Sequence, residues 1–159
     1  MNSTFRIISA LAMLVAFPYF ALGGDNGYGV RYDGGSVSSL KSGSELKLYI
    51  DSDSFHFVEK KETVLTVPAK AITEISYGQD VHRRVGAAIG LAVVSFGIGG
   101  LMALTKSKKH YVGVTYDDGG KKGGFALQCD KSNYRGILAG LEGISGKKAV
   151  DASTLTVKN

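Results

Sequence analysis

Cysteine, tryptophan and proline are scarce in this sequence. Its 159 residues include one cysteine, Cys129, no tryptophan and only two prolines, Pro18 and Pro68. A single cysteine excludes an intramolecular disulfide and a paired-cysteine metal site. Because no base or second cysteine lies near it in the sequence, we interpret Cys129 as a small buried hydrophobic residue. A chain of this length is enough for one domain with a hydrophobic core.

Catalytic and cofactor-binding motifs are also absent. The sequence contains no GxSxG motif, P-loop or dinucleotide-binding fingerprint. Its three histidines, His56, His82 and His110, are far apart and lack an HExxH context. The acidic residues at 51–53 and 117–118 fit solvated turns, and the first group lacks the later glycine and glutamate of a calcium loop. We therefore expect no enzymatic activity, no cofactor and no metal, with a small soluble hydrolase as the remaining enzymatic alternative.

Charge is missing from the 20 residues 85–104, VGAAIGLAVVSFGIGGLMAL. A helix of this length rises about 30 Å, which matches the hydrocarbon core of a bilayer. We therefore interpret residues 85–104 as an apolar membrane insert. The alternative is a buried glycine-rich hairpin inside a soluble domain. The side chains predicted to contact lipid are Val85, Ile89, Leu91, Val93, Val94, Phe96, Ile98, Leu101, Met102 and Leu104.

Basic residues flank the insert on both sides, so the positive-inside rule gives no orientation preference. A straight single span would separate the strand ending at Tyr77 from the strand starting at Tyr111 and leave open sheet edges. We therefore predict a bent, two-armed insert that turns near residues 95–100, with the straight span as the alternative. The side chains predicted to contact anionic headgroups are Arg83, Arg84, Lys106, Lys108 and Lys109.

Glycine is abundant in the insert, and Gly86 and Gly90 form a GxxxG pair. This spacing lets helices approach closely in lipid, so we predict a helix-packing role for the two glycines. The pair supports an alternative hypothesis, in which the chain is an oligomerising single-span membrane protein.

The N-terminus has the pattern of a secretory signal peptide. Arg6 precedes the apolar residues 7–22, and Ala21-Leu22-Gly23 supplies small residues at a cleavage site. We predict that residues 1–23 are removed on export, with an uncleaved anchor as the alternative. The net charge of +5 suits an anionic membrane surface at least as well as nucleic acid, and we expect no nucleic-acid partner.

Short alternating patterns predict strands in most of the remaining chain. Leu46, Leu48 and Ile50 alternate with polar residues, as in a half-buried strand. Similar patterns occupy 28–32, 55–59, 63–67, 72–77, 111–116 and 125–129, and residues 117–124 are predicted as a glycine- and lysine-rich turn. Because these strands are short and linked by hairpins, we predict an antiparallel sheet.

The period changes to that of a helix after Ser132. The spacing of five apolar residues predicts one buried helix face, with Ser132 as the cap and Gly146 as the end. Residues 149–159 are predicted to form a frayed tail, and the folded domain is assigned to residues 24–150. The predicted helix face consists of Tyr134, Ile137, Leu138, Leu141 and Ile144.

Several short segments and the order of the elements carry a family resemblance. The segments are 32–36 (YDGGS), 67–68 with Ile72, 75–79 (ISYGQ), 83–86 (RRVG), 108–111 (KKHY), 141–142 (LE) and 146–148 (GKK). They resemble those of small exported bacterial proteins of unassigned function with an apolar insert in mid-sheet. Six or seven short antiparallel strands followed by one amphipathic helix resemble the pleckstrin-homology-like barrel, also used by GRAM domains.

This resemblance spans residues 28–150 and implies a barrel whose open end is plugged by the C-terminal helix. It implies a binding or scaffolding module that presents a lipid headgroup or peptide surface and has no catalytic centre. Phosphoinositide-binding members place several basic residues around the first hairpin, where residues 33–43 offer only Lys41. We therefore expect a non-enzymatic, exported module of the cell envelope, at the periplasmic face in a Gram-negative cell. Its expected partners are membrane lipid and either another envelope protein or a second copy of itself.

Overall fold

The computed structural model describes residues 26–90 and 109–154 of the chain. These residues form eight strands and two helices, with α1 after the fifth strand and α2 after the seventh. The strands are β1 (Tyr28–Gly35), β2 (Glu45–Ile50), β3 (Ser54–Glu59), β4 (Glu62–Pro68), β5 (Ile72–Tyr77), β6 (His110–Asp118), β7 (Lys121–Cys129) and β8 (Val150–Asp151). The helices are α1 (Val81–Ala88) and α2 (Tyr134–Ser145), and short 3-10 helices occupy Ala69–Ala71 and Ala152–Thr154.

All eight strands form one mixed sheet in the order β4-β3-β2-β1-β7-β6-β5-β8. Seven of them pair in antiparallel fashion, which confirms the predicted antiparallel sheet for these strands. The two meanders β1–β4 and β5–β7 are joined where β1 pairs with β7, so Tyr32 lies opposite Leu127. The protein is therefore mainly β with a C-terminal helix, as the sequence predicts.

One face of the sheet, here called the inner face, carries the main hydrophobic core. Alternate residues of each strand point to this side because successive side chains in a strand face opposite ways. Three aromatic rings, Phe55, Phe57 and Phe125, pack edge to face at centroid distances of 5.0 to 5.9 Å. This arrangement is favourable because the positive edge of one ring faces the negative face of another. The predicted inward positions Leu46 and Leu48 are also buried here.

Helix α2 covers the inner face, which confirms the prediction of its apolar stripe. Ile137 and Leu141 are 0% and 1% exposed, and the other three stripe residues pack partly buried against the same core. Gly146 ends the helix with φ +68°, a left-handed conformation that glycine adopts without a Cβ clash. The predicted Ser132 cap is wrong, because Asn133 holds the cap position and no side chain caps the helix.

Two other predictions from the sequence differ from the structure. Residues 117–124 are mostly strand rather than loop, since β6 runs to Asp118 and β7 begins at Lys121, with a tight turn at 119–120. The predicted tail is also ordered in part, because Val150–Asp151 pairs in parallel with β5 and Ala152 is buried. Pairing with a neighbouring edge strand cannot be read from so short a segment. The predicted signal peptide, 1–23, lies outside the described residues.

Candidate functional site

Helix α1 lies on the outer face of the sheet, opposite the main core. Val81, Val85, Tyr111, Ala126 and Ala152 form a second buried cluster there, against which Ile89 packs partly buried. Tyr111 and Ala126 alternate with inner-face neighbours along β6 and β7, which places this cluster on the other side of the sheet. The start of the predicted insert is therefore packed against protein.

Small residues in β6 and β7 make room for α1. A Cβ added at Gly113 would lie 2.6 Å from Val81 Cγ1 and 2.8 Å from Val85 Cγ2. A Cβ at Gly124 would lie 3.1 Å from side-chain atoms of both Ile89 and Val85. Glycine inside a strand often marks such a close approach. The outer face of these two strands is thus shaped to receive this helix.

Two polar pairs hold α1 on either side. Arg84 donates from Nε and Nη2 to the two carboxylate oxygens of Glu74 in β5, at 2.6 and 2.8 Å. The hydrogen bond to Glu74 raises the pKa of Arg84 above its ordinary value. On the opposite side, His82 Nε2 hydrogen bonds with Oδ2 of Asp33 in β1, which is only 6% exposed. A bidentate pair and a buried pair together fix the orientation of the helix.

The same histidine contacts the ring of Tyr111 edge to face, with centroids 4.9 Å apart. Burial, together with the negative charge of Asp33, raises the pKa of Tyr111 above its ordinary value. The phenol therefore stays protonated over the physiological range.

The described residues on either side of segment 91–108 lie beside one sheet. Gln79, which follows β5, donates from Nε2 to the carbonyl oxygen of Lys109 at 2.6 Å. Strands β5 and β6 then pair directly, with Tyr77 opposite Val112. On the other side of the segment, Gly90 follows α1, which packs mainly on β6 and β7 of the same sheet. The residues on both sides of segment 91–108 therefore lie beside a single sheet.

The predicted site residues divide into three groups. Val85 is 0% exposed and Ile89 is partly buried, so the protein itself surrounds the first two predicted lipid contacts. Among the predicted headgroup contacts, Arg84 is paired with Glu74, whereas Arg83 is exposed and Lys109 is partly exposed. The remaining predicted contacts lie outside the described residues: Leu91, Val93, Val94, Phe96, Ile98, Leu101, Met102, Leu104, Lys106 and Lys108.

The two glycines of the GxxxG pair do not share a helix face. Gly86 is buried within α1, but the helix ends at Ala88 and Gly90 has φ +68°. A left-handed residue interrupts the helix that a GxxxG contact requires. In this conformation Gly86 is a buried residue of α1, and Gly90 lies beyond the end of that helix.

An open concavity of about 950 Å³, here called the outer groove, lies beside α1 on the outer face. Its floor includes Gly29, and a Cβ added at this residue would have no neighbouring heavy atom within 4 Å. Four strands contribute to it, and its rim carries both basic and acidic side chains. The lining residues are Gly29, Val30, Arg31, Glu45, Leu46, Lys47, Tyr49, Val58, Lys60, Lys61, Gln128 and Asp130.

The surroundings of Cys129, His56 and His110 fit structural roles for these three side chains. Burial raises the pKa of Cys129 to about 12, which keeps the thiol protonated and unreactive. His56 hydrogen bonds with Asp51 at 3.0 Å, and His110 stacks on Tyr134 at 4.1 Å between ring centroids. Across the described ranges, no three histidine, cysteine or acidic side chains are grouped as a metal site would require. Within 26–90 and 109–154, no helix is both long and apolar enough to cross a bilayer.

No family model and no curated protein matches this chain.

The sequence-based reasoning missed the outer groove and the docking of α1. Gly113 offered one signal, since a glycine at the centre of a predicted strand often marks a close contact. The groove offered no local signal, because its basic residues come from β1, β2 and the turn after β3. Only the pairing of those strands brings them together.

Proposed function

We propose that this protein is a non-enzymatic binding or scaffolding module of the cell envelope, attached to the membrane through its apolar insert. The proposal includes export after removal of residues 1–23 and a pleckstrin-homology-like arrangement of the sheet. The meanders β1–β4 and β5–β7 and the helix α2 on the inner face support that arrangement.

The observation that carries the proposal is that the residues flanking segment 91–108 lie beside one sheet. Gly90 hydrogen bonds to Ala87 at the end of α1, and Lys109 hydrogen bonds to Gln79 just before β6. The stretch between them contains the uncharged residues 91–104. A straight helix of those residues would rise about 21 Å, shorter than the roughly 30 Å of a bilayer's hydrocarbon core. An insert of two arms that enters and leaves the bilayer on one side agrees with the shared sheet and with the short length of 91–104. A single span agrees with them less well.

Docked α1 also supplies a rigid base for such an insert. Its two polar pairs and the contacts of Val81 and Val85 hold α1 on the sheet, and α1 contains the first residues of the predicted insert. The oligomerising single span, the second reading of the sequence, lacks a shared helix face for Gly86 and Gly90. We therefore favour lipid attachment over helix association as the role of the insert.

Subcellular fractionation followed by carbonate extraction tests the proposal. We expect the wild-type protein in the carbonate-resistant membrane fraction, and a Val93→Lys/Val94→Lys variant in the supernatant. The matched control, Ser38→Lys/Ser39→Lys, adds the same charge at exposed positions outside the insert and should stay with the membrane. A wild-type protein found in the soluble fraction before carbonate treatment would exclude membrane attachment.

A further inference from the structure

The outer groove and helix α1 lie side by side on one face of the sheet. Gln128 of the groove belongs to β7, a strand on which α1 packs, and Asp130 follows directly after that strand. Strand pairing also places Tyr111 opposite Gln128, so the chain re-enters the sheet after segment 91–108 next to the groove. An insert that met lipid would therefore bring this face of the sheet towards the membrane surface.

Basic side chains outnumber acidic ones around the groove. Its lining has four basic residues, contributed by β1, β2 and the β3–β4 turn, against two acidic ones, Glu45 and Asp130. Arg31 lies opposite Glu45 in the strand register but forms no ion pair with it. Within the described part of the chain, Lys60 and Lys61 likewise form no ion pair. These three cations are therefore available to an anionic group from outside.

The β3–β4 turn holds its two lysines in an unfavourable backbone conformation. Lys60 has φ 48° and Lys61 has φ 76°, and each is exposed. Two-residue hairpin turns of this kind prefer Asn-Gly, because a Cβ is strained at positive φ. Lysine at both positions is not explained by the stability of the hairpin. It is explained if the two ammonium groups serve binding at the groove rim.

The centre of the groove suits a phosphate group approached from the membrane surface. Gly29 leaves open space between Arg31 and Lys47, which lies directly opposite Gly29 on β2. A guanidinium group can hold a phosphate with two parallel hydrogen bonds. Tyr49 and Val58 add an apolar side to the lining, and tyrosine is favoured at the interface between lipid and water.

From these observations we propose that the outer groove binds the phosphate-bearing headgroup of an anionic phospholipid. The insert supplies lipid anchoring whatever the headgroup, and the groove adds a preference for negative charge. This inference rests on the proposed membrane attachment and assigns the headgroup contact to Arg31, Lys60 and Lys61. These residues lie on a different part of the chain from the basic flanks of the insert.

Flotation of the full-length protein with lipid vesicles tests the inference. One set of vesicles contains phosphatidylcholine alone, and the other contains phosphatidylcholine mixed with phosphatidylglycerol. We expect the wild type to bind both and to prefer the anionic set, with the preference falling as salt is added. Lys60→Asn/Lys61→Gly should lower binding to anionic vesicles roughly ten- to thirtyfold, since each basic residue near such a surface contributes on the order of tenfold or less.

Three further measurements make the result specific. Lys60→Asn/Lys61→Gly should raise the midpoint of urea unfolding, because it relieves the strained turn, so weaker binding cannot be ascribed to misfolding. Lys121→Asn/Lys122→Gln removes the same charge from an exposed hairpin at the other end of β7 and should bind like the wild type. Arg31→Gln should lose the anionic preference and keep its binding to phosphatidylcholine.

Each contrary result has a separate meaning. Equal loss in Lys121→Asn/Lys122→Gln, or no loss in Lys60→Asn/Lys61→Gly, would overturn the groove assignment and leave membrane attachment intact. Failure of the wild type to bind either set would overturn attachment and the groove assignment together. Loss of the anionic preference in excess inorganic phosphate, but not in chloride of equal ionic strength, would identify a small-anion site and exclude a lipid-specific one. Groove-dependent binding of a glutamate-rich peptide without any anionic preference would assign the groove to a protein partner.

Discussion

Gly113 and Gly29 are both glycines inside strands, but their surroundings differ. Gly113 lies in β6 beneath α1, whereas Gly29 lies in β1 under open space. Comparing the two separates the intrinsic effect of glycine in a strand from the effect of close packing.

We expect Gly113→Ala to destabilise the fold by about 1 to 3 kcal/mol, the range for an overpacked core. Its Cβ would clash with Val81 and Val85, which would have to move away from the sheet. Gly29→Ala meets nothing and should be neutral or stabilising by up to about 1 kcal/mol, since alanine restricts the unfolded chain. Urea unfolding monitored by circular dichroism measures both. Equal effects of the two substitutions would show that α1 does not rest on Gly113.

The buried thiol of Cys129 and the buried phenols of two tyrosines make the stability of the fold depend on pH in the alkaline range. Burial raises the pKa of Cys129 from 9.0 to about 12, and it also raises the pKa values of Tyr32 and Tyr111. Above pH 9 the unfolded state releases the thiol proton while the folded state keeps it. The contribution of Cys129 to stability is therefore complete below pH 9 and is lost as the pH rises towards 12.

We expect the free energy of unfolding to decrease over this range, and to decrease less steeply in Cys129→Ala. Urea unfolding at a series of pH values measures the two slopes. Ellman's reagent provides a control, because it should react slowly with the native wild type and rapidly in urea. Identical slopes with and without the thiol would refute the role of Cys129.

At the scale of elements, α2 and α1 cover opposite faces of one sheet. Helix α2 has a continuous apolar stripe and would be recognised as amphipathic in any context. Helix α1 has only eight residues and depends on its contacts with β6 and β7. The longer helix is thus specified mainly by its own residues, and the shorter one by its partners.

Leu141→Ala should destabilise the protein by about 2 to 5 kcal/mol, because it removes a side chain that is 1% exposed on the inner face. Gly143→Ala on the exposed side of the same helix should instead stabilise it, by up to about 1 kcal/mol. Thermal or urea unfolding of the two variants gives the comparison. A change of less than about 0.5 kcal/mol in Leu141→Ala would mean that α2 does not dock on the sheet.

At the scale of the whole molecule, the decisive question is the path of the chain between α1 and β6. Helix α1 packs on β6 and β7, and Lys109 directly precedes β6, so both flanks of this path lie beside one sheet. Lys109 is held there by the hydrogen bond that its carbonyl oxygen accepts from Gln79, the second residue after β5. We expect cysteines placed at Gln79 and at Ser107, in a Cys129→Ser background, to lie on the same side of the membrane.

Labelling with a membrane-impermeant thiol reagent checks this expectation in intact cells and in spheroplasts. Before detergent is added, either both positions should react with the reagent or neither should. After detergent is added, both should react. If only one position reacts before detergent, a transmembrane helix splits the sheet and the two-armed insert is wrong.

Local patterns in the sequence were sufficient for much of the fold. The alternation of Leu46, Leu48 and Ile50 determined which side of β2 is buried, because strand geometry has a period of two. The stripe ending at Ile144 and the glycine at 146 determined where α2 packs and where it ends. Each of these features depends on residues within one element, so it can be predicted from the sequence alone.

The outer face was decided only by the tertiary structure. Hydropathy assigned Val85 to lipid, but an apolar side chain is equally satisfied by a protein surface, and Val85 packs over Gly113 and Gly124. Those glycines lie on two strands that follow α1 in the chain, so no local pattern connects them to it. The outer groove arises in the same way, from the pairing of strands that are separated in sequence. Amino-acid order determined the elements, and contacts between distant residues determined which surfaces remain open for binding.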